Sequence, residues 1–586
     1  MQGGESGGSL SHEETMGKVA TESVGATLAQ QSQYIGRVIF SKDRPARPEE
    51  FWCWLADSPN LDVQVGSLLA IDGEQERIIG IVENMQYESA ADSTTEFYGS
   101  GFGNPHISFQ TRPTVLRFAK IRILVREPPI RTPPGDRWKV RYATFNDADT
   151  ISGHIPPQNR ILMGFIQVGQ SSSIDDRWCP IYYNSELLLG MEAAHVNITG
   201  VTGMATKTSY ALFLCYSIMA WAKNNNQRVA IVLFNVKRED FLRLHQLPSN
   251  WEQAHQWLEQ WTKKAGNPSI TNIERALWGA ARRVGVDPIA LKVPVQYFTF
   301  QGDPYDQLMT RPNIYRYGLA DLKPEEVIAA LYRPGEDVAE QQLNLIHTYI
   351  HTQNRPPSFL KMLNDLRNWS LQQAGARPTQ TTQQVQWHRE TLEAVIRRLQ
   401  GLQYRASQII EWTKPNGRPI TFQSLTPGFN VIQLYGLSED AKKLVVNAVI
   451  RHIRDGLQQA QKHVDRVVVV VDELNVYAPP SRSPIKDQIL DVVARGRDLG
   501  LTLIGAEQFA SEIDESILGN SNTRVVGRSD TGEVADIKVY RFLGGFRDVA
   551  PILQKGQMLV YHPAHTSAVI IHFPVPLHKM IPNVHS

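Results

Sequence analysis

The chain has 586 residues, a formal net charge of +1, and 42% hydrophobic and 20% charged residues. That length allows roughly three or four domains, and the composition is that of a globular protein. Near-neutrality excludes a global basic field, so any nucleic-acid contact has to be local, in a loop, a groove or the lumen of a ring.

Three cysteines, Cys53, Cys179 and Cys215, lie far apart with no C-x-x-C pair and no nearby histidine cluster. This argues against a zinc site or a disulfide framework and for a reducing cytosol. Residues 1–33 are rich in Gly, Ser and Glu and carry no apolar signal-like stretch. They read as a disordered tail, neither a signal peptide nor a membrane span. No run of about 18 apolar residues occurs, so no helical crossing of a membrane is expected.

Residues 34–168 read as a small β-barrel. "YIGRVIF", "GSLLAID", "ERIIGIVENM" and "FAKIRILVRE" alternate or run β-branched between turn residues. The Gly-rich stretch "SAADSTTEFYGSGFGNPH" interrupts them as a long loop. Within 169–239 the pattern changes to strand, loop, helix, strand. "HVNIT" is a short strand, "TSYALFLCYSIMAWAKNN" a helix apolar nearly all round, and "RVAIVLFN" a buried strand. This is a βαβ unit, hence a parallel sheet. Cys215 falls in the apolar helix as plain core.

Residues 240–425 are predicted as a helical insertion, with "NWEQAHQWLEQWTKKAG", "NIERALWGAARRVG", "EEVIAALYR" and "HRETLEAVIRRLQGLQ" at helical spacing. "QQAGARPTQTTQQVQ" breaks the insertion as a linker. Residues 426–586 resume the α/β pattern. "NVIQLYGL", "DRVVVVVDEL", "LTLIGAEQ", "TRVVGRSD", "GQMLVYHP" and "SAVIIHFPVP" are its strands, and "EDAKKLVVNAVIRHIRDGLQQAQ" and "PIKDQILDVVARGRDLG" its helices.

The loop "ITGVTGMATKTSY", Ile198 to Tyr210, nearly fits the phosphate-binding template G-x-x-x-x-G-K-[ST]. Lys207 and Thr208 match its end, but its glycines would fall on Val201 and Thr206, while those present are Gly200 and Gly203. Such a loop binds phosphate through inward-turned N–H groups at a helix N-terminus; the lysine reaches the terminal phosphates and the hydroxyl ligates Mg2+. The β-branched Thr206 adopts a positive φ only with difficulty. Either the loop takes another path, or Gly203 and Ala205 provide the close approach. On this segment alone, Lys207 could equally be an exposed lysine at a helix start.

A second feature favours a nucleotide site. Five valines run into Asp472 and Glu473. A buried parallel strand ending this way sets two carboxylates at the sheet edge where ligands bind. One can hold Mg2+ through water, and the next can activate a water against the γ-phosphate. The bland reading is a pair of solvated acids. Gln508, ending another strand, could sense the γ-phosphate or be an ordinary strand-end amide. Arg495 and Arg497, near a helix C-terminus, could serve as an arginine finger in a ring or simply complement the helix dipole. Arg528 is a weaker candidate.

In order, these segments resemble the HerA-type ATPases of the HerA/FtsK superfamily, from about residue 34 to the C-terminus. "YIGRVIF" is similar to the start of their N-terminal HAS barrel, "HVNITGVTGMATKTSY" to their phosphate-loop segment, "VVVVVDELNVYAP" to their acidic strand, and "ARGRDLGLTLIGAEQ" to their arginine-helix and glutamine-strand segment. The resemblance implies an α/β fold: a RecA-like P-loop ATPase core with an N-terminal small β-barrel and a helical insertion.

Carried over position by position, it implies nucleotide contacts from Gly200, Gly203, Met204, Ala205, Thr206, Lys207, Thr208 and Ser209. It implies Mg2+ held at Thr208 and Asp472, Glu473 as general base, Gln508 as sensor, and Arg497, with Arg495 beside it, as finger in trans. It further implies ATP and Mg2+ as cofactors and a cytoplasmic homo-hexamer that pumps double-stranded DNA. A nuclease or other effector would dock at the barrel, in end processing or antiphage defence. Two departures stand out: the missing glycine before Lys207, and Ala194 where the family often carries a basic residue.

Two other readings are open. One is a hexameric ATP-binding scaffold that assembles an effector with little motor activity. The other is a conjugation or secretion ATPase, which would need membrane contact. For the loop itself, Thr206→Gly should leave ATP binding intact or tighten it, as read by nucleotide titration. Clear loss of binding would mean that the loop follows another path.

Overall fold

The computed structural model describes residues 34–56, 61–89, 115–169, 177–190, 194–201, 207–264, 266, 270–332, 338–352, 357–375, 387–459, 462–481 and 484–581. The predicted tail at 1–33, the Gly-rich loop after Ser89 and most of the Gln/Thr-rich linker lie outside the described residues. The chain forms two compact units, residues 1–154 with 166–179, and residues 155–165 with 180–586.

The first unit is a closed six-stranded barrel of β1 (Gly36–Ile39), β2 (Glu50–Leu55), β3 (Leu68–Asp72), β4 (Arg77–Ser89), β5 (Val115–Glu127) and β6 (Lys139–Tyr142). Its order is β1-β2-β5-β4-β3-β6, and each pairing with a given register is antiparallel. Alternation explains why it closes. In β2, Phe51, Cys53 and Leu55 are buried while Trp54 is exposed, so one face fills the lumen with Val38, Ile71, Val82 and Ile121. Gly80 lies at a register shift in β4, where a Cβ would meet Ile121 Cγ2 at 2.4 Å and the Arg122 carbonyl oxygen at 2.9 Å. Only glycine lets the bulged strand pass so close.

The second unit is built on a twelve-stranded sheet. Its further strands are β7 (Arg160–Gln167), β8 (Trp178–Asn184), β9 (Val196–Thr199), β10 (Val229–Asn235), β11 (Val295–Thr299), β12 (Asn313–Ile314), β13 (Gly428–Gln433), β14 (Arg466–Asp472), β15 (Leu501–Glu507), β16 (Thr523–Val526), β17 (Gln557–Tyr561) and β18 (Val569–His572). The order is β12-β11-β13-β10-β14-β15-β9-β16-β17-β18-β7-β8. From β12 to β16 each pairing is parallel, and β17 and β18 continue the sheet antiparallel.

The fold class read from the sequence is therefore the one observed: an α/β core on a largely parallel sheet, with a small N-terminal β-barrel. The last barrel strand ends at Tyr142, and β7, buried on both faces along most of its length, belongs to the twelve-stranded sheet. The stretch 240–425 is not wholly helical. β11, a Val/Tyr/Phe/Thr strand just after Pro294, adds to the sheet beside β13, and β12 follows. Helices Trp251–Lys264, Ile270–Arg283, Pro324–Leu331 and Arg389–Arg405 occur where the spacing predicts them. All three cysteines are buried free thiols.

The chain's last described stretch is fastened to this region. Glu274, on the Ile270–Arg283 helix, is 4% exposed and accepts the Val575 N–H at 2.9 Å, while Trp278 Nε1 donates to the Val575 carbonyl at 3.1 Å. Burial pushes the Glu274 carboxyl up to about 7, against the lowering effect of the Val575 N–H. A folded pKa above the unfolded value means that the fold favours the protonated form. The stabilisation is complete below the ordinary 4.5 and is lost as pH rises to about 7. Glu274→Gln keeps an acceptor for Val575 without the ionisation. The fall in melting temperature between pH 5 and pH 8 should be smaller in the variant, by the equivalent of at most about 3 kcal/mol. An identical pH profile in both proteins would refute the buried ionisation.

Candidate nucleotide site

Parallel pairing brings several strand ends to one edge. Asp472 lies opposite Ala506, Glu507 opposite Thr199, and Thr199 opposite Val526. β15 intervenes between β9, which feeds the loop, and β14, which carries the acids. This is the carboxyl edge of the sheet, where α/β proteins bind ligands.

The loop leaves β9 at Gly200, with φ at +150°, where a Cβ would stand 3.1 Å from the Arg528 carbonyl oxygen. The Val201 N–H donates to that same carbonyl at 2.8 Å, so the loop's first step is tied to the end of β16. Gly203, Met204, Ala205 and Thr206 lie outside the described residues. The helix Lys207–Asn224 then begins, buried nearly all round as its sequence implies. Its first-turn N–H groups have no partner within the helix. Lys207, Thr208 and Ser209 form that first turn at 5%, 9% and 0% exposure. The Ser209 hydroxyl is enclosed and has no hydrogen-bond partner among the described residues, so what Ser209 can offer a ligand here is its backbone N–H.

Across the edge, Asp472 ends β14 at 3% exposure. Its Oδ2 accepts from Thr208 Oγ1 at 3.3 Å and from Lys237 Nζ at 2.6 Å, and its Oδ1 accepts the Glu473 N–H at 3.0 Å. Glu473 is exposed and left-handed, with φ 59° and ψ 46°. For a residue with a Cβ that conformation costs about 1–2 kcal/mol, a strain found where side-chain direction matters. Two carboxylates, a hydroxyl and two ammonium groups thus converge.

Burial pulls the Lys207 ammonium down, partly offset by Asp472, Glu507 and Glu473. Burial also acts on Lys237, but Asp472 and Glu473 outweigh it and raise its proton affinity. Sequence reasoning missed Lys237. Nothing in "FNVKRED" marks it except its place just past a buried strand's carboxyl end.

Glu507 is also more than a strand terminus. It is fully buried, its Oε1 accepts from Asn197 Nδ2 at 2.7 Å, and its Oε2 has no hydrogen-bond partner among the described residues. Burial holds this carboxyl well above the usual range, with Asn197 and Lys207 opposing. Gln508 follows it directly, half-buried at the same edge.

The arginines stand elsewhere. The helix Pro484–Leu499 runs back from the acidic edge to the start of β15, so its last turns lie at the sheet's opposite edge, about 20 Å from the acids. Arg495 is 81% exposed and pairs with Asp491 on its own helix at 3.3 Å. Arg497 lies two residues on in the same helix, and its side chain is outside the described set. Arg528 Nε donates to the Pro551 carbonyl at 3.1 Å.

The donor set suits a hard divalent cation. The Thr208 hydroxyl and Asp472 carboxylate are oxygen donors, and a positive group, Lys237 Nζ, already stands against Asp472. Among the described residues no cluster of three or more His, Cys, Asp or Glu could hold a metal by itself. Mg2+ here would complete its shell with phosphate oxygens and water, its usual mode.

No protein-family model matches the chain, and no curated protein does. Among solved structures it is similar to VirB4 of Thermoanaerobacter pseudethanolicus, with 11% identity, a TM-score of 0.45, and coverage of 73% of this chain and 100% of that one. It is similar to the plasmid coupling protein TrwB in complex with ADP and Mg2+, with 12% identity, a TM-score of 0.37, and coverage of 65% and 86%. It is also similar to the genome packaging NTPase B204 from Sulfolobus turreted icosahedral virus 2, with 16% identity, a TM-score of 0.21, and coverage of 26% and 69%. No described helix is long and apolar enough to cross a membrane.

Glu507 gives a direct check on this edge. If its carboxyl is neutral in the fold, Glu507→Gln should change thermal stability little. Glu507→Ala, which strands the buried Asn197 amide, should cost about 1–3 kcal/mol. Equal losses from both would show that a charge is required there.

Proposed function

We propose that this chain is a Mg2+-dependent ATPase of HerA/FtsK type that works as a homo-hexamer to move double-stranded DNA. On this reading an effector, such as a nuclease, is joined at the barrel, and the setting is DNA end processing or antiphage defence. The observation that carries the ATPase reading is the contact of Thr208 with Asp472. The hydroxyl that opens the helix after the glycine loop faces the acid that ends the valine strand, with Glu473 next to it. The DNA, hexamer and effector parts rest on the motif resemblance.

In the reaction, Lys207 and the first-turn N–H groups bind the β- and γ-phosphates. Thr208 and Asp472 would hold the metal, which would supply charge neutralisation to the phosphates. Glu473 takes a proton from the attacking water as its oxygen bonds to the γ-phosphorus. The bond to the β–γ bridging oxygen breaks and ADP leaves with the electron pair. Gln508 orients that water. Arg495 and Arg497, lying at the far edge of their own sheet, would act only on a nucleotide held by a neighbouring subunit.

The decisive measurement is ATP turnover with and without duplex DNA. The wild type should be stimulated by DNA. Glu473→Gln should lose about a hundredfold or more of its turnover while still binding nucleotide. A well-formed hexamer that hydrolyses ATP without any response to DNA would sink the motor reading and leave the ATP-binding scaffold in its place.

A further inference from the structure

Asp472 Oδ2 has two donors on one oxygen, and the shorter contact is the ammonium of Lys237. A metal held between Thr208 and Asp472 would compete with Lys237 for this oxygen, the one that Thr208 faces. The site therefore already contains a cation, supplied by the chain.

Its carrier is built for the purpose. Lys237 follows β10, the strand beside β14, by two residues. Leu233 pairs with Val470, so the end of β10 lies level with the acidic end of β14. Asn235 fixes the turn. Its Nδ2 donates to Gln433 Oε1 at 2.7 Å and to the Arg238 carbonyl at 3.1 Å, and its Oδ1 accepts the Phe241 N–H at 3.2 Å. A further brace comes from the C-terminal segment, where His578 Nε2 meets the Asp240 carbonyl at 2.8 Å. The backbone under Lys237 is thus held from several sides. Its side chain remains 34% exposed on a flexible stem, against 4% for Asp472.

The charges around it set the direction of movement. Asp472, Glu473 and Asp240 attract Lys237, whereas Lys207 and Lys579 repel it. A divalent cation at Asp472 would add repulsion and compete for the acceptor, and a terminal phosphate would offer the ammonium a new anion.

We propose that Lys237 is a resident cation that occupies the metal position of the free site, yields it to a Mg2+–nucleotide, and re-docks on the terminal phosphate. It thereby makes the site discriminate ATP from ADP. The proposal rests on the ATPase reading given above and names a residue and a selectivity that reading does not contain.

The test is equilibrium binding, independent of turnover. A fluorescent ADP and a non-hydrolysable ATP analogue are titrated at varied Mg2+ against wild type, Lys237→Met and Lys237→Arg. With Lys237→Met, the Mg2+ needed for half-saturation with ADP should fall, because the competitor is gone. The preference for the ATP analogue over ADP should drop roughly tenfold or more, as for a lost hydrogen bond to a charged group. Lys237→Arg should restore most of the preference. The ADP-to-analogue ratio is internal to each protein, so partial unfolding, which removes both, cannot imitate the result.

Wild-type Mg2+ dependence and nucleotide preference in Lys237→Met would overturn the proposal and leave the ATPase reading standing. A folded wild type that binds neither nucleotide at any Mg2+ concentration would overturn both.

Discussion

A carboxylate at 3% exposure has to be paired, and in this fold that carboxylate is Asp472. Its neighbours come from three separate parts of the chain: Thr208 after the glycine loop, Lys237 after β10, and the N–H of Glu473 beside it. Each partner is far from the others in sequence. The valines of β14, buried on both faces, force the strand through the middle of the sheet and deliver the acid to its edge. Removing one partner of such a buried charge typically costs about 3–5 kcal/mol. The same need for pairing that stabilises the edge therefore also assembles the chemistry.

The level ends of the parallel strands do the rest. Because β15 intervenes between β9 and β14, Glu507 and Gln508 arrive between the loop and the acids. The edge concentrates negative charge, from Asp472, Glu473 and Glu507, against Lys207 and Lys237. Burial raises the proton affinity of Glu507, while Asp472 and Glu473 face two ammonium groups. Glu473 keeps left-handed backbone angles directly beside the buried Asp472.

Much of this was legible in the sequence. The strand-loop-helix grammar located β9, its helix and β10, and the valine run into two acids located β14 and its edge. The signals are strong because buried parallel strands are unbroken apolar runs. Within the barrel, "EFWCWL" alternates cleanly, but two tryptophans on its outward face hide the pattern. β11 lies among amphipathic helices, where a five-residue strand carries little weight against long periodic neighbours. Lys237 was illegible for a different reason. A lone lysine after a strand is ordinary, and only the pairing of β10 with β14 turns it toward Asp472.

The placement of the helix Pro484–Leu499 has one more consequence. Its arginine-bearing end and the acidic edge are opposite poles of one subunit. If the two poles meet in an assembly, they meet head to tail, pole to unlike pole. A twofold pair puts like surfaces together and could not satisfy that contact. Repetition of one unlike contact closes into a ring or runs on as a filament.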